Sequence, residues 1–306
     1  MAKKNLFTTI ALLSLLLISC NKKPMQVTND LAFNDLKKNF GNPGPEWRGK
    51  PFWSWNGNLE KDELIRQVNV LKEMGMGGFF MHSRVGLQTE YLGDKWFEMI
   101  NACADEAAKL GMEAWLYDED RWPSGIAGGM VTKIPKFRQQ FLSCLRIPSE
   151  KFIWNDSIIA AYVTDLKDTG FSESKRISGS SESKLPKGKT ILVFACEYAR
   201  PNDFYNGYTY ANTMNREATD EYIRLTHEKY KEKSGSRLGT SIKGIFTDEP
   251  HRGAVFGTFS NDSKYAPWNV PWTFGFASAF QEKFGYEILD SLPQLFLRDD
   301  GGRLTR

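Results

Sequence analysis

Four short apolar runs, joined by stretches with helical periodicity, are the feature of this sequence that most constrains its fold. Each run ends abruptly in polar side chains, and the runs lie near residues 51–55, 78–81, 113–117 and 242–247. Strands that alternate with helices predict a parallel sheet with right-handed crossovers. In a β/α barrel the functional face lies at the carboxyl ends of the strands, so we expect the polar ends to meet there.

Two predicted helices connect the first three runs. The first covers 60–74, and the second begins at Asp94, which we predict as its N-cap. Both helices end in a similar motif that passes through a glycine, Gly75 or Gly111, into the next strand. The spacing of these two glycines is close to the length of a βαβ unit, which is roughly 30 residues or more.

We predict an α/β fold that forms about the first four strands of a (β/α)8 TIM-type barrel. A small β-rich insertion at about 131–200 interrupts the alternation, and helix resumes over Thr219–Lys231 and again over 272–285. Three strand-like pieces mark the insertion: Phe152–Trp154, Ile158–Val163 and Ile191–Phe194. Insertions at strand ends are a common way for barrels to elaborate a binding site.

The chain is too short to close such a barrel. A (β/α)8 barrel needs at least about 200 residues, and only 59 follow the fourth run, too few for four more strand–helix units. A half barrel would expose sheet edges and apolar helix faces. We therefore expect a fragment of a longer chain or, as a second choice, a half that pairs with a separate partner half.

Residues 1–20 predict an export signal. Lys3 and Lys4 precede the apolar stretch Leu6–Ser19, which is too short to span a bilayer comfortably and is followed by Cys20. This pattern is typical of a bacterial lipoprotein signal with lipidation of Cys20, and an ordinary secretory peptide with a chance cysteine is the alternative. We expect 21–45 to be a polar tether and 46–306 to be the barrel part. The predicted location is the bacterial outer membrane, periplasmic or cell-surface, with a lipid anchor.

The composition argues against several classes of protein. Lys and Arg number 40 against 37 Asp and Glu, and a net charge of +3 is too balanced to indicate nucleic-acid binding. The later cysteines Cys103, Cys144 and Cys196 are an odd, sparse set without disulfide or zinc spacing, and Cys103 is predicted as a core residue. The sequence also lacks a nucleophile elbow, a phosphate-binding glycine loop and a dinucleotide motif.

Asp248 and Glu249 form the strongest candidate site. They follow a strand that is apolar through Phe246, and Pro250 ends that strand because proline cannot donate to the ladder. Cleavage of a glycosidic bond requires one protonated and one ionised carboxyl group. Glu249 is the candidate acid if apolar walls and the neighbouring carboxylate favour its neutral form. The alternative is a capping or loop acid.

Asp118, Glu119 and Asp120 form a second acidic cluster. Their oxygens suit sugar hydroxyls or a hard cation such as calcium, and the alternative is a solvated acidic turn paired with Arg121. Tryptophan at strand ends can stack on sugar rings, although core packing is an alternative for such residues. A single histidine is likewise more often structural. The predicted substrate-binding residues are Trp55, Asn56, His82, Arg84, Asp118, Glu119, Trp122, Asp248 and His251.

Four motifs occur in order along the chain: Pro51–Gly57, Met76–Arg84, Trp115–Gly125 and Phe246–Pro250. Together they resemble bacterial glycoside hydrolases related to the family 106 α-L-rhamnosidases, over about residues 46–290. The resemblance is closer to the wider group than to characterised rhamnosidases. It implies a large, multidomain, exported enzyme with a central barrel that acts on plant-type polysaccharides by an inverting mechanism. It also implies that Glu249 is the general acid, that calcium lies near the site, and that the base comes from a later strand.

The leading hypothesis is therefore a rhamnosidase-like glycoside hydrolase for plant-type polysaccharides or oligosaccharides, incomplete in this chain. The alternative is a non-catalytic, lipid-anchored glycan-binding protein or an inactive barrel remnant. The expected partners are a carbohydrate substrate, the membrane through the lipid anchor and the missing C-terminal half of the barrel. Nucleic acid is not expected as a partner.

Overall fold

The computed structural model describes residues 33–166, 170–177, 179, 185–252 and 268–299. The predicted signal peptide with Cys20 and the first part of the predicted tether lie outside the described residues. Further along the tether, residues Phe33–Phe40 form helix α1, which belongs to a unit that ends at Gly44. The second unit begins at Pro45 and contains every element described below. No helix within these ranges is long and apolar enough to cross a membrane.

Four parallel strands form the first sheet: β1 (Phe52–Gly57), β2 (Gly78–Leu87), β3 (Glu113–Tyr117) and β8 (Ile242–Phe246), in that order across the sheet. All neighbouring pairs are parallel, and Phe80 of β2 lies opposite Trp115 of β3. Helices α2 (Lys61–Glu73) and α3 (Asp94–Lys109) form the first two crossovers. The predicted mixed α/β class and the four predicted strands are confirmed.

The two faces of this sheet differ in what covers them. Phe79, Met81 and Leu116 are buried in one core with residues of the two helices, including Trp96. Side chains alternate along a strand, so the intervening residues line the opposite face. That face is aromatic, with ring centroids 5.0 to 5.8 Å apart among Phe52, Phe80, Trp115 and Phe246. Phe52 is 50% exposed, so this aromatic face is partly open.

Left-handed glycines follow both crossover helices, as the sequence repeat predicts. Gly75 has a φ of 82° and Gly111 a φ of 62°, which glycine adopts without the steric cost of a Cβ atom. The predicted N-cap is wrong by one residue, because α3 begins at Asp94 and its N-cap is Gly93 without a side-chain cap hydrogen bond. Asp94 instead places a negative charge in the first turn, where the helix dipole favours it.

The second sheet has the strand order β10-β6-β5-β7-β4-β9. β10 and β6 are parallel, and the other neighbouring pairs are antiparallel. The strands are β4 (Gln140–Pro148), β5 (Ile158–Leu166), β6 (Gly170–Arg176), β7 (Thr190–Tyr198), β9 (Trp268–Pro271) and β10 (Arg298–Asp299). Four of them fall in the predicted β-rich segment. The predicted strand at Phe152–Trp154 is wrong, because these residues follow a 3-10 turn. Phe152 and Trp154 pack against a small apolar cluster around Ile177, whereas Ile153 is exposed.

Helical structure after β7 is less regular than the sequence predicts. The predicted helix over Thr219–Lys231 is divided into α4 (Arg216–Ile223), a π-helical turn (Arg224–Glu228) and α5 (Lys229–Ser234). Single π-helical turns inside α-helices often occur at functional sites. The helix predicted at 272–285 is α6 (Phe276–Phe284), and a short α7 (Leu292–Phe296) follows it.

The described cysteines are free and buried. Cys103 lies in the core of the first sheet, as predicted, and Cys144 and Cys196 lie in the core of the second sheet. Burial raises the pKa of each thiol, to about 12 for Cys144 and about 11 for Cys196. These thiols therefore act as small apolar side chains at neutral pH.

Candidate active site

The loop after β3 folds around a buried carboxylate. Glu119 is 0% exposed. Its two side-chain oxygens accept five backbone N–H groups, from Asp120, Gly125, Ile126, Ala127 and Gly128. Burial raises the pKa of Glu119 to about 7, and the backbone N–H donors act in the opposite direction. Because its oxygens are engaged and its surface is covered, the structure contradicts the prediction that Glu119 binds a substrate.

Asp118 is also 0% exposed and joins three segments. Its Oδ1 accepts a hydrogen bond of 2.6 Å from the Ser124 hydroxyl, and its Oδ2 accepts one of 2.6 Å from the Thr247 hydroxyl. The Nε2 atom of His227, on the π-helical turn, lies 3.4 Å from the same Oδ2. Asp118 therefore holds the loop after β3, the end of β8 and the π-helical turn together. This position contradicts the prediction that Asp118 contacts a substrate.

Asp120 is 7% exposed and completes the same arrangement. Its Oδ1 accepts a hydrogen bond of 2.7 Å from Ser83 in the middle of β2, and its Oδ2 accepts one of 3.0 Å from the Asn206 amide. The predicted pairing of the acidic turn with Arg121 applies to Asp120, at 3.3 Å. All three acids of this cluster thus bind protein donors.

The two carboxylates after β8 lie in different surroundings. Asp248 is half-buried, and its Oδ2 accepts a hydrogen bond of 2.8 Å from the Tyr117 hydroxyl at the end of β3. Burial and this bond raise the pKa of Tyr117 above its usual range, so the phenol stays neutral and donates. The Asp248 backbone N–H donates to Ser124 Oγ at 2.9 Å. Asp248 therefore fixes the start of the loop that carries Glu249.

Glu249 is exposed, and its Oε2 accepts a hydrogen bond of 3.1 Å from the indole N–H of Trp122. Its φ of 42° lies in the left-handed region, which is uncommon for a residue other than glycine. The side chain is exposed, whereas the sequence-based argument for Glu249 required enclosure by apolar walls. The prediction that Glu249 stands at the carboxyl end of β8 agrees with the observed end of that strand at Phe246.

His82 is 3% exposed and packs between two rings. Its ring centroid is 3.6 Å from that of Tyr117 and 5.4 Å from that of Phe52. Burial, followed by the charge of Arg84, lowers the pKa of His82. The neutral imidazole supports Tyr117 and leaves little surface for a substrate.

Of the other residues predicted to bind a substrate, some lie in the core and some at the surface. Trp55 is 1% exposed and packs against Trp53 and Trp96, so it cannot offer a ring face to a sugar, and its prediction is wrong. Asn56 and Arg84 are exposed near the ends of β1 and β2, and their predicted roles stay predictions. His251 is half-buried and stacks on Tyr210, with ring centroids 3.9 Å apart. Cys20, the predicted lipidation site, lies outside the described residues.

Several residues at this site were missed by sequence analysis. Tyr117 and Ser124 lie within the motif Trp115–Gly125, so the sequence contained a signal that could have identified them. His227 gave no signal, because its place on a π-helical turn depends on backbone geometry that periodicity does not reveal. Phe204 gave no signal, because a turn outside the four apolar runs brings its ring within 5.8 Å of Trp122.

The described residues do not fit a calcium site. No group of three or more His, Cys, Asp or Glu side chains in the described ranges is arranged to hold a metal ion. Calcium requires about 6–8 oxygen ligands. The carboxylate oxygens of the acidic cluster instead accept N–H and O–H donors, and a cation would have to displace them.

Comparisons with known proteins connect this chain to named glycoside hydrolases at low identity. No protein-family model matches the chain. A protein of Formosa agariphila named "Putative beta-glucuronidase" is 19% identical over 343 aligned positions, which cover 93% of this chain and 28% of that protein. The chain therefore spans less than a third of this curated relative.

The fold resembles a solved enzyme structure. The rhamnosidase from Novosphingobium sp. PP1Y superposes with a TM-score of 0.53 and 13% sequence identity, covering 85% of this chain and 42% of that chain. At this identity the match concerns the fold. Both named proteins belong to the glycoside hydrolases, so the comparisons support a glycoside hydrolase-like relationship.

Proposed function

We propose that this protein is a glycoside hydrolase in which Glu249 protonates the leaving glycosidic oxygen. One observation carries the proposal. Glu249 is an exposed carboxylate at the carboxyl end of a parallel strand, held by the Trp122 indole and by a left-handed backbone. A general acid must reach the oxygen that it protonates and must be positioned for it. Unusual backbone conformations of this kind cluster at active sites.

The proposed reaction needs two carboxyl groups. The proton of Glu249 moves to the glycosidic oxygen while the bond from that oxygen to the anomeric carbon breaks. A water molecule attacks the anomeric carbon from the opposite face and gives its proton to a second, ionised carboxylate. In inverting enzymes the two carboxyl groups lie roughly 6.5–9.5 Å apart. Asp248 is a poor second carboxylate, because it binds the Tyr117 hydroxyl. We therefore assign the base to a later part of the polypeptide.

The first sheet is proposed as the first half of a (β/α)8 barrel that later strands complete. Within the described residues, β8 pairs with β3, and its other edge is unpaired. Parallel sheets normally continue or are covered, since an open edge invites aggregation. An immunoblot of the native protein tests this proposal. A band well above the 34.9 kDa of this chain supports it, and a band near 34.9 kDa contradicts it and favours a separate partner half.

The proposed substrate class is a plant-type polysaccharide or oligosaccharide, with an α-L-rhamnoside as the first candidate. The rhamnoside follows from the motif resemblance, and the relative's name adds a β-glucuronide as a second candidate. Hydrolysis of p-nitrophenyl α-L-rhamnoside and of p-nitrophenyl β-D-glucuronide by the full-length protein separates the two. The exposed guanidinium of Arg84 is a suitable partner for the carboxylate of a uronic acid.

The decisive experiment is Glu249→Gln in the full-length protein. The amide keeps the shape of the side chain but cannot donate a proton, so we expect kcat on an oligosaccharide, whose leaving alcohol requires protonation, to fall by about 10²–10⁴-fold. Sugar affinity, measured by calorimetry, should stay nearly unchanged. Glu73→Gln, an exposed glutamate at the end of α2, is the matched control and should keep full activity. Unchanged turnover in Glu249→Gln contradicts the proposed role.

The same measurements test the non-catalytic alternative. A protein that binds oligosaccharides in calorimetry but releases no product, with or without Glu249→Gln, is a glycan-binding protein rather than a hydrolase. The open aromatic face of the first sheet and the exposed Arg84 would then serve binding alone.

Export and lipid anchoring are proposed from residues 1–20 alone. In a native host, Cys20→Ser should move the protein from the membrane fraction to the soluble exported fraction and abolish labelling with a radioactive fatty acid. A cleaved but unlabelled wild-type protein would instead indicate an ordinary secretory peptide.

A further inference from the structure

An exposed aromatic ring stands beside the carboxylate that we assign as the acid. Phe204 is 50% exposed, and its ring packs at 79° to the Trp122 ring with centroids 5.8 Å apart. Trp122 in turn donates its indole N–H to Glu249. Phe204 comes from the turn Asp203–Tyr205, so the connection that follows the β-rich segment contributes this ring to the candidate active site.

The turn that carries Phe204 is fixed to the loop after β3. The Asn206 amide donates to Asp120 Oδ2 and to the Gly128 carbonyl oxygen, both at 3.0 Å. Asn206 itself adopts the left-handed conformation that ends this 3-10 turn, with a φ of 56°. Because two hydrogen bonds hold the turn, Phe204 keeps a defined position although half of its surface faces solvent.

Aromatic packing supports the same turn from the other side. The Tyr205 ring lies 5.7 Å from the Tyr210 ring, which stacks on His251, two residues after Glu249. The Tyr210 hydroxyl donates to the Ser124 carbonyl oxygen at 2.6 Å. The segment 204–210 is therefore attached to both loops that form the site, the loop after β3 and the loop after β8.

A fixed, exposed aromatic ring next to a catalytic acid suits one kind of ligand. A sugar ring can cover the apolar ring face with its C–H groups while its hydroxyl and glycosidic oxygens remain free to bond to the carboxylate. Two aromatic rings at a steep angle form a corner that also limits the orientation of such a ring. Phe284 of α6, by comparison, is 54% exposed and packs on Phe280.

The position of this corner indicates which part of a substrate it meets. Asp248 binds Tyr117 at the end of β3, on the side of the first sheet. Glu249 binds Trp122, and Trp122 contacts Phe204, on the side of the β-rich segment. The reacting sugar of a barrel enzyme lies over the carboxyl ends of the strands. The group beyond the acid, away from the sheet, is then the leaving group.

We propose that Phe204 and Trp122 form a binding subsite for a sugar ring of the leaving group, on the far side of Glu249 from the first sheet. The proposal rests on the proposed hydrolase function. It also assigns a purpose to the 203–206 turn, which brings Phe204 to the site and holds it there.

Phe204→Ala tests this subsite through two substrates that share the reacting sugar. A p-nitrophenyl glycoside carries a ring as its leaving group, and the corresponding glycosyl fluoride carries none. We expect KM for the aryl glycoside to rise about tenfold, the size expected when roughly 50 Å² of apolar surface loses its cover, with kcat little changed. Both constants should stay unchanged for the fluoride. Phe284→Ala, an exposed phenylalanine of α6, is the matched control.

The outcomes separate this proposal from the hydrolase proposal. An active wild type that is sensitive to Glu249→Gln but not to Phe204→Ala overturns the subsite alone. Equal losses on both substrates also overturn it, because they indicate a general distortion of the site. If the wild type is inactive, the hydrolase proposal fails, and calorimetry with xylan and rhamnogalacturonan oligosaccharides decides the subsite. Weaker binding by Phe204→Ala than by Phe284→Ala supports it, and equal binding overturns it.

Discussion

The loops after β3 and β8 both carry carboxylates within their first three residues, yet Glu119 and Glu249 have opposite surroundings. Asp118 and Glu119 are 0% exposed and bind hydroxyl and backbone N–H donors. Glu249 is exposed, and the structure records the Trp122 indole as its donor. An apolar strand followed by acids is therefore one sequence pattern with two structural results.

The difference lies in the backbone that follows each pair of acids. After β3 the chain turns back with Gly125, Gly128 and the left-handed Ala127, and this turn directs successive N–H groups at Glu119. After β8, Pro250 cannot supply an N–H group, and Glu249 itself takes the left-handed conformation. A carboxylate needs to remain accessible to act as a general acid, so the second loop is the one suited to chemistry.

The largest expected effect is on stability, in Glu119→Gln. The amide side chain turns an N–H₂ group toward backbone N–H donors, so buried donors lose their acceptor. We expect the free energy of unfolding to fall by about 3–5 kcal/mol, or the protein to fail to fold. Urea denaturation measures this change. Glu249→Gln is the same chemical substitution at an exposed position and should change stability by less than about 0.5 kcal/mol.

The same two variants can also contradict the proposed contrast between the buried Glu119 and the exposed Glu249. If Glu119→Gln keeps the stability of the wild type but loses activity, Glu119 acts on a substrate, and our structural assignment of the buried acids is wrong.

A smaller effect is expected for Ser124→Ala, which breaks the link between the two loops. Ser124 Oγ donates to Asp118 and accepts from the Asp248 backbone N–H, so its loss leaves one buried carboxylate oxygen and one N–H group without this partner. We expect a loss of about 1–3 kcal/mol in unfolding free energy together with a several-fold lower kcat. The exposed Ser236→Ala is the control for both measurements. If Ser124→Ala were as stable as Ser236→Ala, the loops after β3 and β8 would be held in place without the Ser124 hydroxyl.

The fold was more accessible from the sequence than the roles of the acids. Strand periodicity located β1, β2, β3 and β8 because each has an apolar face against the helices. The same alternation puts Trp55 on the buried face with Trp53, which excludes it as a sugar platform. The role of Glu119 was not predictable, because its partners are backbone N–H groups, which every residue except proline has. Phe204 was missed because long-range packing, rather than local pattern, brings it to Trp122.

The buried His82 predicts a pH dependence. Burial and the charge of Arg84 lower the pKa of His82, so the unfolded chain binds this proton more tightly than the folded protein. Stability from this group is therefore complete above the unfolded pKa of about 6.5 and is lost as the pH falls below it, by at most about 1.4 kcal/mol per pH unit. Burial raises the pKa of Glu119 to about 7, so the folded protein binds this proton more tightly than the unfolded chain. Between the unfolded pKa and pH 7, Glu119 therefore adds stability as the pH falls, opposite to His82.

The measurement is urea denaturation from pH 7 to pH 5 for the wild type and for His82→Gln. The difference between the two proteins isolates the imidazole, because the contribution of Glu119 is common to both. We expect the wild type to lose more stability on acidification than the variant. Parallel curves would indicate that His82 is protonated equally well in the folded and unfolded states.

The smallest expected effect is on catalysis, in Trp122→Phe. This change removes the N–H group that binds Glu249 Oε2 but keeps an aromatic ring near Phe204. One hydrogen bond of this kind contributes about 1 kcal/mol, so we expect kcat to fall roughly threefold to tenfold while KM and stability stay close to the wild type. The 70%-exposed Trp47→Phe is the control. A large rise in KM with unchanged kcat would instead mean that Trp122 acts only through its ring in the proposed subsite and that its N–H group does not position Glu249.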